Sequence, residues 1–393
     1  MTRDIVILDG ARTAIGTFGG SLAGTAPIDL AAHVAREALI RSGVEGGQIG
    51  HAVFGHVINT EPRDMYLSRV ACIEAGIPDT TPAMNVNRLC GSGAQAVVSC
   101  IQAIALGDAD MALAGGAENM SRSPHSIQVT RFGQKMGDTT MSDMMIGALN
   151  CPFGTGHMGV TAENVAAEHQ ITREEQDAFA LESQRRAGAA QDAGHFKSQI
   201  APFTLRTRKG EIVFDRDEHG KPGTTAEDLA SLRTVFKKDG TVTAGNASGI
   251  NDGAAALVLA EAGAAERAGA KPRARVLGYA HAGVRPEVMG LGPIPAVQKL
   301  LERTGLSVDD FDIIESDEAF AAQACAVNKG LGLDTAKVNP NGGAIALGHP
   351  VGATGAIITL KCLAELERTG GSKGLITMCI GGGQGIALAV ERI

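Results

Sequence analysis

Aromatic side chains are nearly absent: the chain has no tryptophan, two tyrosines and 3% aromatics in total. Glycine is abundant instead, with 52 residues. Small residues in place of rings imply close packing of elements and many tight turns. The glycines fall in short runs without a period, which argues against collagen and low-complexity sequence. An excess of positive charge is also missing. The formal net charge is −8, which argues against a nucleic-acid partner, since such binding needs basic surface to displace counterions. No cysteine pair has CxxC spacing, and the seven cysteines, at 72, 90, 100, 151, 325, 362 and 379, are odd in number. That pattern disfavours a disulfide scaffold or a zinc site and fits free thiols in a reducing cytoplasm. No uninterrupted apolar run is long enough to span a bilayer, so no membrane partner is expected. The start, MTRDIVILDG, has neither the apolar core of a secretory signal nor the Arg- and Ser-rich character of a transit peptide. GGGQG near the end is not followed by Gly-Lys-Ser/Thr, so it is no P-loop.

What is present reads as an α/β protein. With 393 residues, two or more domains are expected. DIVILDG (4–10) reads as a strand, PIDLAAHVAREALIRSG (27–43) as an amphipathic helix stopped by Gly43, and HAVFGHV (51–57) as a strand. AQAVVSCIQAIALG (94–107) is helical, and ADMALAGG (109–116) a buried strand. Residues 121–248 differ, being rich in Met, Ser and charge. They contain a long helical stretch from about Thr161 to Ala193, within which Thr172 and Glu175 have capping-box spacing. This region is either an exposed insertion or a ligand-binding excursion. From about Ala274 the α/β alternation resumes. Segments 89–118 and 347–384 share one layout: a Gly-rich turn, an apolar helix, a polar loop, a strand and a Gly-rich end. Cys90 and His349 hold equivalent places before the two helices. A duplicated domain would bring these distant residues together.

Five residues stand where chemistry is expected. Cys90, in NRLCGSG, precedes a helix whose N-terminus favours thiolate. His349, in ALGHPVGATG, is placed to take its proton or to donate to an oxyanion. Cys379, in TMCIGGGQG, ends a strand before glycines, an arrangement expected to expose the thiol. Asp317 and Glu318 form a carboxylate pair after the strand DFDII, where solvated surface is the ordinary reading. His157, Met158 and Ser248 read equally well as plain loop residues.

Together these segments resemble the thiolase family. NRLCGSG is similar to its acylated-cysteine motif, GHPVGATGA to its histidine motif and CIGGGQG to its second-cysteine motif. ESDEAF resembles its Asn-Glu-Ala-Phe motif with one change. The match runs in order along essentially the whole chain and looks closest to bacterial biosynthetic and broad-range β-ketothiolases. The resemblance implies two duplicated βαβαβαββ domains in five layers, with an inserted loop domain. The implied boundaries are 1–120 plus 249–272, 121–248 and 273–393. It implies reversible Claisen condensation of acetyl-CoA with an acyl-CoA, acetoacetyl-CoA being the expected product, in a cytoplasmic homotetramer. No metal or redox cofactor is implied; the coenzyme A thioesters are substrates. Cys90 would carry the acyl group, His349 would activate it, and Cys379 would be the acid/base. Gly381 and Cys90 would offer backbone N–H groups to the thioester oxygen. Leu149, His157, Met158, Phe236, Ala244, Ser248, Met289, Ala319 and Phe320 would border the acyl and pantetheine groups. Lys221 would meet a phosphate as a point charge.

Asp317 departs from the family pattern, which has Asn there to orient a water beside the enolate oxygen. An ionised Asp only accepts hydrogen bonds and adds negative charge. An active enzyme with an adjusted oxyanion hole is expected; the alternative is a condensation-impaired or non-catalytic acyl-CoA or lipid binder. A decarboxylating synthase of the same fold would need no second cysteine base. A Cys90–Cys379 redox pair would regulate catalysis rather than replace it.

Overall fold

The structure is a computed structural model that describes residues 3–208 and 210–393. Nine strands form its central sheet: β1 Ile5–Arg12, β2 His51–Gly55, β3 Ala83–Val86, β4 Met111–Asn119, β5 Asn251–Glu261, β6 Ala274–Gly283, β7 Ile313–Ser316, β8 Lys373–Ile380 and β9 Gln384–Arg392. They lie in the order β7-β8-β9-β6-β1-β5-β4-β2-β3, with a short tenth strand, Gly16–Thr17, beside β5. The two halves repeat. In the first, β1 pairs antiparallel with β5, β5 antiparallel with β4, and β4 parallel with β2. In the second, β6 pairs antiparallel with β9, β9 antiparallel with β8, and β8 parallel with β7. The halves meet through β1 and β6, by the pairs Val6–Arg275 and Ile7–Ala274. The duplication expected from the sequence is therefore present as topology.

Six helices matter most here: α1 Pro27–Ser42, α2 Ser92–Leu106, α3 Met158–Glu168, α4 Arg173–Asp192, α5 Ala321–Leu331 and α6 Thr354–Thr369. α1 ends as its sequence predicts, on Gly43 in the left-handed conformation. Strands β4, β5 and β8 are buried along nearly their whole length, which explains their continuous apolar runs. By length and composition alone, Leu89–Leu106 would pass for a membrane span. Its helix, α2, is instead packed in the protein interior against α6.

Two expectations need correction. The stretch 161–193 is not one helix. α3 stops at Glu168, Gln170 takes a positive φ of 53°, and the Thr172–Glu175 capping box starts α4. No Gly or Pro marks that break. Cys379 is not exposed either: it lies inside β8 and is completely buried. It belongs to an apolar cluster with Met158, Met289, Ala319 and Phe320, so the glycines after it open the chain without opening the thiol to solvent.

The described residues between β4 and β5 add no strand to the central sheet. They form small hairpins and the helices α3 and α4, which carry His157 and Met158 toward the centre. That centre is the contact between α2 and α6. A Cβ on Gly93 would stand 2.7 Å from the Ala356 nitrogen, and one on Gly355 would overlap Ala94. The two helix starts touch backbone to backbone, and only glycine fits. Replacing Gly355 by Ala should therefore destabilise the protein by about 1–3 kcal/mol, as overpacking does. Urea unfolding measures this, and an unchanged midpoint would contradict it.

Candidate active site

The backbone contact at Gly93 and Gly355 places the residues just before each helix side by side. Before α2, the turn Arg88–Ser92 is tied by the Ser92 hydroxyl, which accepts from Arg88 N (2.8 Å) and donates to Leu89 O (2.6 Å). Leu89 takes a positive φ of 46°. For a branched side chain this conformation costs about 1 kcal/mol. It turns the chain sharply at Cys90, which is half-buried and borders a cavity of about 60 Å³.

Before α6, His349 is held at both ends. Its backbone N–H donates to Asn251 Oδ1 (2.9 Å). The Thr354 hydroxyl donates to the Pro350 carbonyl (3.0 Å), so at 2.7 Å it accepts from His349 Nδ1–H. Nδ1 is thus the nitrogen already protonated, and Nε2 is the one able to take a further proton. The Cys90 thiol lies close enough to this imidazole for its charge to act on it, and both border the same cavity, while Nε2 makes no hydrogen bond among the described residues. Glu118, at the end of β4, locks the surrounding loops. It accepts from Val57 N, Ile58 N and Gly352 N at 3.0–3.1 Å.

Asp317 sits directly behind His349. Its backbone N–H donates to Thr377 O on β8 (3.0 Å), and Gln323 Nε2 donates to its carbonyl (3.2 Å). Its Oδ1 is 3.7 Å from His349 Nδ1; among the described residues no side chain hydrogen-bonds to the carboxylate, and the Glu318 backbone N–H is its polar neighbour. Burial alone would lower the imidazole, but the charges of Asp317 and Cys90 outweigh it and push His349 up to about 9. Burial pushes the Asp317 carboxyl up, against the opposing pull of His349. Burial, and then the charges of Asp317 and Cys90, push the Cys379 thiol well above its ordinary value. Two thiols, one imidazole and one carboxyl thus meet at one point, with interacting protons.

The cavity wall is apolar. Leu149, His157, Met158, Ser248, Met289, Ala319, Phe320 and Gly381 line it together with Cys90 and His349. Phe236 forms a second layer: it stacks on His157 at 4.6 Å between ring centroids and meets Phe320 edge-on. Asp317 and Cys379 lie just behind the wall, fully buried. Lys221 and Ala244 are exposed and stand outside the cavity. Glu318, weighed as a solvated carboxylate, is buried and accepts from Ser183 and Asn339. Reading the sequence also passed over Val57, Leu89, Met120, Ala148 and Val351 on the wall, and Glu118, Asn251 and Thr354 as supports. Leu89 stood inside the quoted cysteine motif, and Val351 and Thr354 inside the histidine motif; the others carry no local signal. Among the described residues there is no cluster of three or more His, Cys, Asp or Glu able to hold a metal.

A thiol and an imidazole at two helix starts, with a second buried thiol facing them, define a site for covalent acyl transfer on a duplicated α/β frame. The chain belongs to the thiolase family: the thiolase N-terminal domain matches residues 5–263 and the thiolase C-terminal domain residues 270–392. It is 60% identical to the beta-ketothiolase BktB of Cupriavidus necator over the full length of both chains. It is 50% identical to an acetyl-CoA acetyltransferase of Allochromatium vinosum, again over both full lengths. Among solved structures, human mitochondrial 3-ketoacyl-CoA thiolase in complex with CoA superposes with a TM-score of 0.97 at 42% identity, over 100% of this chain and 98% of that one.

The His349–Asp317 contact has a measurable sign. A histidine raised in the folded state adds stability that is complete below its unfolded value, about 6.5. That contribution fades as pH rises through about 9. In Asp317→Asn the carboxylate charge is gone and burial acts with less opposition, so the imidazole should titrate well below its position in the parent chain. NMR titration of labelled histidine reads this directly; an unmoved His349 signal would show that Asp317 does not hold its charge.

Proposed function

We propose that this chain catalyses the reversible condensation of acetyl-CoA with an acyl-CoA, giving a 3-oxoacyl-CoA and free coenzyme A. The observation that carries this reading is the convergence of Cys90, His349, Cys379 and Asp317 at the end of one apolar cavity. The Cys90 proton passes to His349 Nε2, and the thiolate attacks the acyl-CoA carbonyl. The tetrahedral oxyanion rests on the backbone N–H groups of Cys90 and Gly381. The C–S bond to coenzyme A breaks, and its sulfur leaves with the Cys379 proton. Cys379, now a thiolate in a dry site, is a strong base, because its burial favours the protonated form. It takes the α-proton of a bound acetyl-CoA. The enolate oxygen rests against the charged His349 and a water beside Asp317. The carbanion attacks the acyl-Cys90 carbonyl, the bond from that carbon to the Cys90 sulfur breaks, and the Cys90 thiolate takes its proton back from His349 Nε2. Thiolysis is the reverse.

The wall formed by Met158, Met289, Ala319 and Phe320 suits an aliphatic acyl or pantetheine group, which gains by burial. Lys221 and Ala244, at the surface, are proposed for the far, phosphate-bearing end of the ligand. We take 121–248 as a loop domain inserted between the two parts of the N-terminal unit, 1–120 and 249–272, with 273–393 as the second. Its exposed Phe132, Met136 and Met141 are surface that a homotetramer would cover. Seven free cysteines support a cytoplasmic location. The relatives carry enzyme names, which leaves the non-catalytic binder without support.

A thiolysis assay tests the reading. Acetoacetyl-CoA and longer 3-oxoacyl-CoA substrates should be cleaved, with acetoacetyl-CoA turned over first. Cys379→Ala should lower the rate by about 10²–10⁴, the usual worth of a positioned acid or base. Absence of thiolysis at every chain length by the folded parent protein would overturn the assignment.

A further inference from the structure

Behind Asp317, on the side away from the substrate cavity, lies a second, internal cavity. Glu315, Ser316, Asp317, Thr354 and Lys361 supply its polar lining, and every residue around it is buried. Lys361, on α6, is 3% exposed. It donates to Glu315 Oε2 (2.8 Å) and to Gly342 O (2.8 Å). Its ammonium has three donors. Among the described residues, four buried oxygens of this lining have no side-chain partner: Glu315 Oε1, Ser316 Oγ, Asp317 Oδ1 and Asp317 Oδ2, with the Glu318 backbone N–H beside the Asp317 carboxylate. Leaving one such group without a partner costs about 1–3 kcal/mol. Four such groups clustered at one place call for a partner. Water is the partner that a site with polar groups takes up, and this cavity, about 20 Å³, has room for one.

We propose that this cavity holds water joining the Lys361 ammonium to the Asp317 carboxylate, and that Lys361 is a positioning residue which fixes the charge of Asp317 and, through it, of the Cys90–His349 pair. The inference rests on the reading of Cys90 and His349 given above. It assigns a task to a buried ion pair that the acyl-transfer chemistry leaves idle. Lys361 is placed for it, since its charge opposes the rise that burial imposes on Asp317. The other ionisable groups facing the pair are Cys379 on β8, Glu118 on β4 and Glu318 after β7. Of these, Glu118 and Glu318 are tied by hydrogen bonds of their own, and Cys379 is held protonated by burial. Lys361 is the cation in this group whose charge reaches Asp317 from behind.

The test is a two-by-two set of variants: the parent, Lys361→Met, Asp317→Asn and both together. Iodoacetamide reacts with the thiolate, so the rate of Cys90 alkylation, followed by peptide mass spectrometry across about pH 5–9, reports the state of the pair. Lys361→Met should move the midpoint upward by roughly one pH unit, because a neutralised Asp317 no longer supports the imidazolium. Asp317→Asn should do the same. In the Asp317→Asn background, Lys361→Met should add less than about 0.3 unit, as two changes acting through one group are non-additive. Equal shifts in both backgrounds, or none from Lys361→Met in the parent, would overturn the proposal. The paired change Glu315→Gln with Lys361→Gln repeats the comparison without a lone buried charge. A high-resolution crystal structure with no ordered water between Ser316, Asp317 and Lys361 would overturn it independently. Because alkylation needs no coenzyme A, a thiolysis assay run alongside separates failure of this proposal from failure of the functional assignment.

Discussion

At the centre of the molecule, two helices from opposite halves of one sheet begin side by side, with Gly93 against Ala356 and Gly355 against Ala94. No side chain separates them. This contact converts the duplication into a site: what precedes one helix must stand beside what precedes the other. Cys90 and His349 are 259 positions apart in sequence (349 − 90) and are neighbours in space for that reason. The scarcity of rings and the many small residues follow from the same need, since bulky side chains would push the helix starts apart.

Once the residues are together, burial sets their protonation. The site is dry and apolar on the cavity side, so each charge must find a counter-charge. His349 gains one from Asp317, which raises the imidazole even though burial opposes it. Cys379 is pushed well up by burial and then by the charges of Asp317 and Cys90, which favours the thiol form. One environment thus gives two chemically identical side chains different tasks. Under the proposed function, Cys90 at the half-open wall is the nucleophile, and the concealed Cys379 the acid and base. Asp317 tightens this division because it adds negative charge on the imidazole side.

Much of this was legible in the sequence, for identifiable reasons. The boundaries of α1 and the run of β4 follow from local periodicity and from Gly43. The repeat of segments 89–118 and 347–384 announced the paired helices. What was not legible involves packing at long range. The break between α3 and α4 rests on a positive φ at Gln170, a residue that carries no turn signal. Cys379 reads as exposed because glycines follow it, yet Met158 and Met289 from distant segments cover it. Glu118 and Asn251 look like ordinary strand residues until their carboxylate and amide are seen holding the loops at Gly352 and His349. The unpartnered oxygens at Ser316 and Asp317 are invisible in a linear sequence, because they are defined by what fails to face them.

The central claim is that Cys90 carries the acyl group while Cys379 moves the α-proton. One sample can examine both. The protein is incubated with acetyl-CoA in deuterated buffer, quenched in acid, and digested, and both the peptides and the remaining acetyl-CoA are weighed by mass spectrometry. The account predicts an acetyl group on the Cys90 peptide alone, and deuterium entering the acetyl-CoA methyl group in the parent protein but not in Cys379→Ala. Acetylation of another residue, or methyl exchange that persists without Cys379, would contradict it.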